Sequence, residues 1–130
     1  MPTRYTIRKS MTFIAAHALR DYDGPCARTH GHNYRVEVEV QGERTDHREL
    51  LIDFYDIDAL LKPLIQRVDH QFLNELEPFT TVNPTAEAIA AWFHGELKAG
   101  IAAAPGPPVR LAAVHIWETD DSCASYSEED

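Results

Sequence analysis

Little in this sequence could cross-link it, carry it through a membrane or attract a polyanion. Two cysteines, Cys26 and Cys123, allow one disulfide at most. The stretch Met1-Pro2-Thr3-Arg4-Tyr5 lacks the charged-then-apolar pattern of a secretory signal, so the expectation is reduced thiols and a cytoplasmic location. No apolar run approaches the ~20 residues that a bilayer-crossing helix requires, which excludes membrane partners of that kind. Positive charge is scarce: twelve Lys and Arg stand against twenty-one Asp and Glu, a formal net charge of −9. Such a surface repels nucleic acid. A small anionic substrate would need a local cluster of positive groups, for which Lys9, Arg20, Arg28 and a bound metal are candidates. What remains is 130 residues with 44% hydrophobic content, enough for one modest core and hence a single domain over residues 1–130. There is no internal repeat.

Alternation dominates the first third. From Tyr5 to His17 the odd positions are mostly apolar, with the polar Thr6, Arg8, Ser10 and Thr12 alternating against them, which reads as a half-buried strand. Arg20 to Pro25 is rich in turn formers. A second strand follows in which Tyr34, Val36, Val38 and Val40 face one way and Arg35, Glu37, Glu39 and Gln41 the other. Glu49-Leu50-Leu51-Ile52 reads as a short third strand that pairs back as a hairpin. Helical period then takes over, with Phe54, Ile57, Leu60, Leu61, Leu64, Ile65 and Val68 on one stripe, Asp53 or Asp56 as cap, and Pro63 expected to kink or split the helix. A second helix is predicted from an Asn83 cap with Pro84 at its first position to about Ala99. A last strand runs from about Val109 to Glu118, with Ser122–Tyr126 as a short edge. This order indicates an α+β domain with two helices on one face of a mainly antiparallel sheet. Its open edges favour pairing with further copies of the chain, so a homo-oligomer is expected.

The chemistry concentrates in Cys26-Ala27-Arg28-Thr29-His30-Gly31-His32-Asn33-Tyr34. Period two places His30 and His32 on one face, the apolar one shared with Tyr34, Val36 and Val38. Buried neutral imidazoles need partners, and a divalent metal satisfies both. Gly31 between them permits a bend or a close approach. If the two strands pair antiparallel, His17 reaches the same place, and three nitrogen ligands leave the open fourth position of a catalytic zinc site. Hydrogen-bonded structural histidines are the alternative. Cys26 has three readings: a fourth zinc ligand, a proton-transfer group, or an inert thiol. Asp69-His70 could relay protons or be a solvated surface pair. Glu118 could be a salt-bridged strand-end acid, or could anchor a ring with adjacent N–H donors through two parallel hydrogen bonds. His47, His94 and His115 are assigned to surface or packing.

Taken together, Phe13-x-Ala15-Ala16-His17, Cys26-x-x-x-His30-Gly31-His32, Ile52-Asp53-Phe54, Asp69-His70, Asn83-Pro84-Thr85-x-Glu87 and Glu118-Thr119 resemble the 6-pyruvoyl-tetrahydropterin synthase family over nearly the whole chain. The resemblance implies a tunnelling fold (T-fold), a homohexamer built as a dimer of trimers, and active sites at subunit interfaces. It also implies zinc on His17, His30 and His32, Cys26 as proton-transfer residue assisted by Asp69 and His70, and Glu118 gripping the pterin. Within the family the short spacing from Cys26 to His30 resembles the carboxy-forming branch of queuosine (7-deazapurine) biosynthesis. The implied reaction takes 7,8-dihydroneopterin triphosphate to 6-carboxy-5,6,7,8-tetrahydropterin with loss of acetaldehyde and triphosphate. A pyruvoyl-forming enzyme and a non-catalytic zinc- or pterin-binding module are the alternatives. The presence of Cys26, Asp69, His70 and Glu118 argues against the module, because holding a metal requires none of them.

Overall fold

Thirteen rungs join the first two strands, from Tyr5 opposite Gly42 to His17 opposite His30. In this computed structural model, which describes residues 3–129, those strands are β1 (Tyr5–His17) and β2 (His30–Gly42). Helix α1 (Phe54–Val68) and a two-residue strand β3 (Gln71–Phe72) follow. Then come α2 (Ala86–Ala102), β4 (Val109–Thr119) and β5 (Ser122–Tyr126). The sheet order is β3-β1-β2-β4-β5. Pairings are antiparallel except for β3, which lies parallel to β1 beside Ala15 and Ala16.

The predicted alternation is what the sheet uses. Phe13, Ala15, Tyr34, Val36, Val38, Val40, Val114 and Ile116 are buried on one face, and Ile57, Leu61, Leu64 and Val68 from α1 with Ile89, Phe93, Leu97 and Ile101 from α2 complete one core against them. Burying such aliphatic and aromatic side chains contributes about 1.5–3 kcal/mol each before the entropy cost of ordering them. The opposite face carries Arg8, Glu37, Glu39 and His115, linked by ion pairs.

Three sequence expectations are corrected. Glu49 to Ile52 is not a strand: Leu51 and Ile52 are both buried, although neighbours in a strand face opposite ways. The segment is a turn instead, held by Asp46 Oδ1, which accepts from the backbone N–H groups of Arg48 and Leu50, and Glu49 takes a left-handed φ of 66°. Pro63 neither breaks nor splits α1. It lies on the exposed side, and Ala59, whose carbonyl loses its helical donor, is exposed too, so water can supply the missing hydrogen bond. The cap of α2 is Thr85, whose hydroxyl accepts from the Ala88 N–H, and the helix starts at Ala86. Asn83 has another task, described below. Asp53 is the cap of α1, as one of the two candidates.

Gly42 occupies the corner where β1, β2 and β4 begin or end, paired with Tyr5 and Val109. A Cβ there would stand 2.5 Å from Leu51 Cδ1 and 2.9 Å from the Pro108 carbonyl oxygen. We predict that Gly42→Ala lowers the unfolding free energy by about 1–3 kcal/mol in urea denaturation. An unchanged midpoint would mean that Leu51 and Pro108 move aside freely.

Candidate functional site

The last rung of the β1–β2 ladder sets His17 against His30, and the next same-face rung sets Ala15 against His32. The small Ala15 side chain leaves room for the His32 ring, so three imidazoles gather at one end of the sheet. Ring centroids are 4.5 Å apart for His17 and His30, 5.1 Å for His17 and His32, and 5.0 Å for His30 and His32. One ring nitrogen from each lies within 4.8 Å of the other two. Gly31 between His30 and His32 is not demanded by packing, since a Cβ there would meet the Ala15 carbonyl at an ordinary 3.5 Å.

Hydrogen bonds decide the tautomers. His17 Nδ1 lies 2.7 Å from the Pro84 carbonyl oxygen and His30 Nδ1 lies 2.7 Å from the Arg28 carbonyl oxygen. A carbonyl only accepts, so both Nδ1 atoms carry hydrogen, and in a neutral ring each Nε2 is then a lone pair. The two Nε2 atoms face each other at 3.0 Å. Two lone pairs at that distance repel unless a cation stands between them. His32 Nε2 is buried and has no hydrogen-bond partner among the described residues, with the Glu118 carboxylate 3.9 Å away. Burial holds His17 below its ordinary pKa, against the Pro84 carbonyl and the Glu118 charge that favour the charged ring. This is a donor set for a divalent metal. Nitrogen ligands 2.0–2.1 Å from a tetrahedral ion stand roughly 3.3 Å apart, and a backbone carbonyl on the remote nitrogen is the usual brace of a metal-bound imidazole.

Two asparagines make that end of the sheet rigid. Asn74 accepts from the Ala18 N–H and donates to the Ala18 carbonyl, at 2.9 and 2.8 Å. Asn83 does the same to Arg20, at 2.8 and 3.0 Å. The two amides thus pair with alternate residues as a neighbouring strand would. Leu19 N–H donates to the Cys26 carbonyl across the loop. The Arg20 guanidinium is spent on the carbonyls of Phe79, Val82 and Asn74, and Lys9 pairs with Asp58. Of the three candidate cations, Arg28 alone stands exposed in the segment between Cys26 and His30 with no ion pair among the described residues.

The other sequence candidates divide. Glu118 joins the cluster by the ordinary alternation of β4, which puts it on the face of Val114 and Ile116 one step past the Arg35–Trp117 pair, with its carboxylate 3.9 Å from His32 Nε2. The same carboxylate lines a cleft of about 670 Å³ with Leu19, Arg20, Tyr22, Thr85 and Cys123. Cys26 is a half-buried free thiol in the short turn Pro25–Ala27, and its sulfur is outside the three-nitrogen group. Asp69 and His70 sit at the β1–β3 edge. Asp69 Oδ1 accepts from the Ile14 N–H at 2.9 Å and lies 3.1 Å from His70 Nδ1, and the Ile14 hydrogen bond holds this carboxyl below its ordinary range. His70 has a left-handed φ of 58° and is largely exposed. The hydrogen bonds and ion pairs of this dipeptide do not reach the histidine cluster. His115 bridges Glu39 and Ser125 on the far face, His94 packs against Tyr126, and His47 is exposed. The reading from residue types overlooked the Pro84 and Arg28 carbonyls and the Asn74 and Asn83 clamps. A backbone oxygen leaves no residue-type signal, and an asparagine clamp is sequence-distant.

The sequence profile described as 6-pyruvoyl tetrahydropterin synthase matches residues 6–129. A 6-carboxy-5,6,7,8-tetrahydropterin synthase from Synechocystis is 37% identical over 128 residues, covering 94% of this chain and 92% of its own. A dihydroneopterin monophosphate aldolase from Pyrococcus furiosus is 30% identical over 121 residues, covering 93% and 94%. The solved 6-pyruvoyl tetrahydropterin synthase from Caenorhabditis elegans superposes with a TM-score of 0.85 at 24% identity, over 99% of both chains. The fold is therefore the T-fold expected from the motifs. No helix among the described residues is long and apolar enough to cross a membrane.

Two outcomes follow from the geometry. Arg20→Ala should cost roughly 1.5–3 kcal/mol of stability, since it strips a charged donor from half-buried carbonyls; a loss of ligand binding with unchanged stability would make Arg20 a ligand contact instead. For pH, burial disfavours protonated His17 and His94 in the fold, so the unfolded chain binds more protons as pH falls through the ordinary histidine value of 6.5. Metal-free protein should accordingly be more stable in urea at pH 7.5 than at pH 5.5. Equal values would remove these rings as a source of acid lability.

Proposed function

The chain belongs to the 6-pyruvoyl tetrahydropterin synthase family, and from that premise we propose that it is a zinc-dependent 6-carboxy-5,6,7,8-tetrahydropterin synthase. On this reading it acts as a single cytoplasmic domain, 1–130, on 7,8-dihydroneopterin triphosphate, releases acetaldehyde and triphosphate, and serves queuosine (7-deazapurine) synthesis. The observation that carries it is the convergence of two carbonyl-locked imidazoles, His17 and His30, with His32 and Glu118 beside a cleft.

His17, His30 and His32 would hold the zinc through their Nε2 atoms. When bound, zinc supplies Lewis-acid polarisation of the substrate's side-chain oxygens and so acidifies the adjacent carbons. Cys26 Sγ takes a proton from such a carbon and returns one to the developing product. Glu118 accepts two parallel hydrogen bonds from adjacent N–H groups of the pterin ring, which fixes the side chain against the histidine cluster. Asp69 orients His70 through the Nδ1 contact, and His70 passes protons to and from the thiol. That pair stands on the exposed β3 edge, away from its own chain's cluster, so we assign it to a site completed by a neighbouring copy in a homohexamer arranged as a dimer of trimers. Exposed sheet edges at β3 and β5 support that assembly.

The short Cys26-to-His30 spacing and the Synechocystis relative's name favour the carboxy product. A relative named as a monophosphate aldolase, at 30% identity, supports a second reading in which the same cleft takes a monophosphate. Pyruvoyl formation is a further alternative. The test is metal analysis of the purified protein with mass analysis of the pterin formed from the triphosphate. We predict about one zinc per chain, lost in His30→Ala, and 6-carboxy-tetrahydropterin with acetaldehyde, slowed at least a hundredfold in Cys26→Ala. Wild-type turnover in Cys26→Ala, or turnover without metal, would overturn the mechanism. A preference for the monophosphate or a pyruvoyl product would move the chain to the corresponding alternative.

A further inference from the structure

The Tyr34 hydroxyl is given no work by the chemistry above, yet its position is anything but neutral. Its ring is fully buried, stacks on Phe13 at 4.9 Å between centroids, and meets His32 and His17 edge-on at 5.3 and 5.8 Å. Packing of this kind needs the ring alone, and phenylalanine would serve it. The oxygen is buried with no hydrogen-bond partner among the described residues, and a buried unpaired hydroxyl weakens a fold. A group that costs stability and adds nothing to packing calls for a functional account.

The ladder says where that account lies. β2 and β4 pair Val36 with Ile116, both in the core, and Arg35 with Trp117. One step further toward the cluster stand Tyr34 on β2 and Glu118 on β4, and period two puts both on the core face. Glu118 is held there by no hydrogen bond among the described residues; its Oε2 stands 3.9 Å from His32 Nε2. We infer that Tyr34 is a positioning residue for Glu118: its O–H donates to one carboxylate lone pair when a pterin occupies the cleft. This fixes the rotation of the carboxylate and leaves lone pairs on both oxygens for the ring N–H groups. The inference rests on the reading of Glu118 as the pterin anchor.

The test is Tyr34→Phe, which keeps the ring and removes the donor. Fluorescence titration with neopterin on zinc-loaded protein should show roughly tenfold weaker binding. The thermal midpoint should be unchanged or raised, zinc affinity by chelator competition should stay within about twofold, and KM should rise more than kcat falls. Glu118→Gln should also weaken neopterin binding, and Tyr34→Phe combined with Glu118→Gln should be no weaker than Glu118→Gln alone, because one residue acts through the other. Unchanged neopterin affinity in Tyr34→Phe, or losses that add in the double variant, would overturn the role of Tyr34 alone. Wild-type protein that binds zinc but no neopterin would overturn the pterin reading of the cleft and this role with it.

Discussion

The β1–β2 ladder ends on the His17–His30 rung, and a slip of β2 by one residue would carry His30 and His32 to the opposite face of the sheet, away from His17. The register is therefore where fold and site meet. What secures it is the core: Phe13 and Ala15 on β1 and Tyr34, Val36, Val38 and Val40 on β2 are all buried on the side that the helices cover, so a slip of either strand would expose its own set. A single alternation thus buries the apolar half of both strands and aims three ring nitrogens at one point. Beyond the ladder the chain has no strand partner, and Asn74 and Asn83 take over by pairing with Ala18 and Arg20.

Electrostatics at this end are arranged against the average of the molecule. The chain carries a net charge of −9, yet at this end backbone carbonyls orient the His17 and His30 rings so that their Nε2 atoms face each other, and the Glu118 carboxylate stands 3.9 Å from His32 Nε2. Arg20 serves the loop architecture and Lys9 is paired with Asp58. On the proposed function, positive charge for the anionic substrate would fall to the metal, to Arg28 and to the N-terminal end of α2, whose cap Thr85 borders the cleft.

The strand pair and its histidines were legible because period two is local: alternation from Tyr5 to His17 and from Tyr34 to Gln41 states which side chains share a face. The stripe of α1 and the edge strand β5 were readable for the same reason. Errors fell where a local signal met a nonlocal partner. Leu51 and Ile52 look like a strand until the Asp46 turn claims the backbone, Pro63 looks like a break until its exposed face is known, and Asn83 looks like a cap until Arg20 is seen opposite it. The two-residue β3 had no pattern to read, because its partner is a strand more than fifty positions earlier in the chain.

The sequence alone thus determined the class of the fold, the face on which His30 and His32 lie, and the family to which the motifs point, all of which rest on short-range periodicity or on residue identity. Tertiary structure decided which nitrogen of His17 and of His30 is free, since that depends on the carbonyls of Pro84 and Arg28. It decided that the Arg20 guanidinium is spent on loop carbonyls and that the Glu118 carboxylate comes within 3.9 Å of His32 Nε2. It also set Asp69 and His70 on a sheet edge apart from the cluster. Each of these depends on which atoms meet in space after the ladder and the core have formed, and no spacing along a chain encodes the direction of a lone pair.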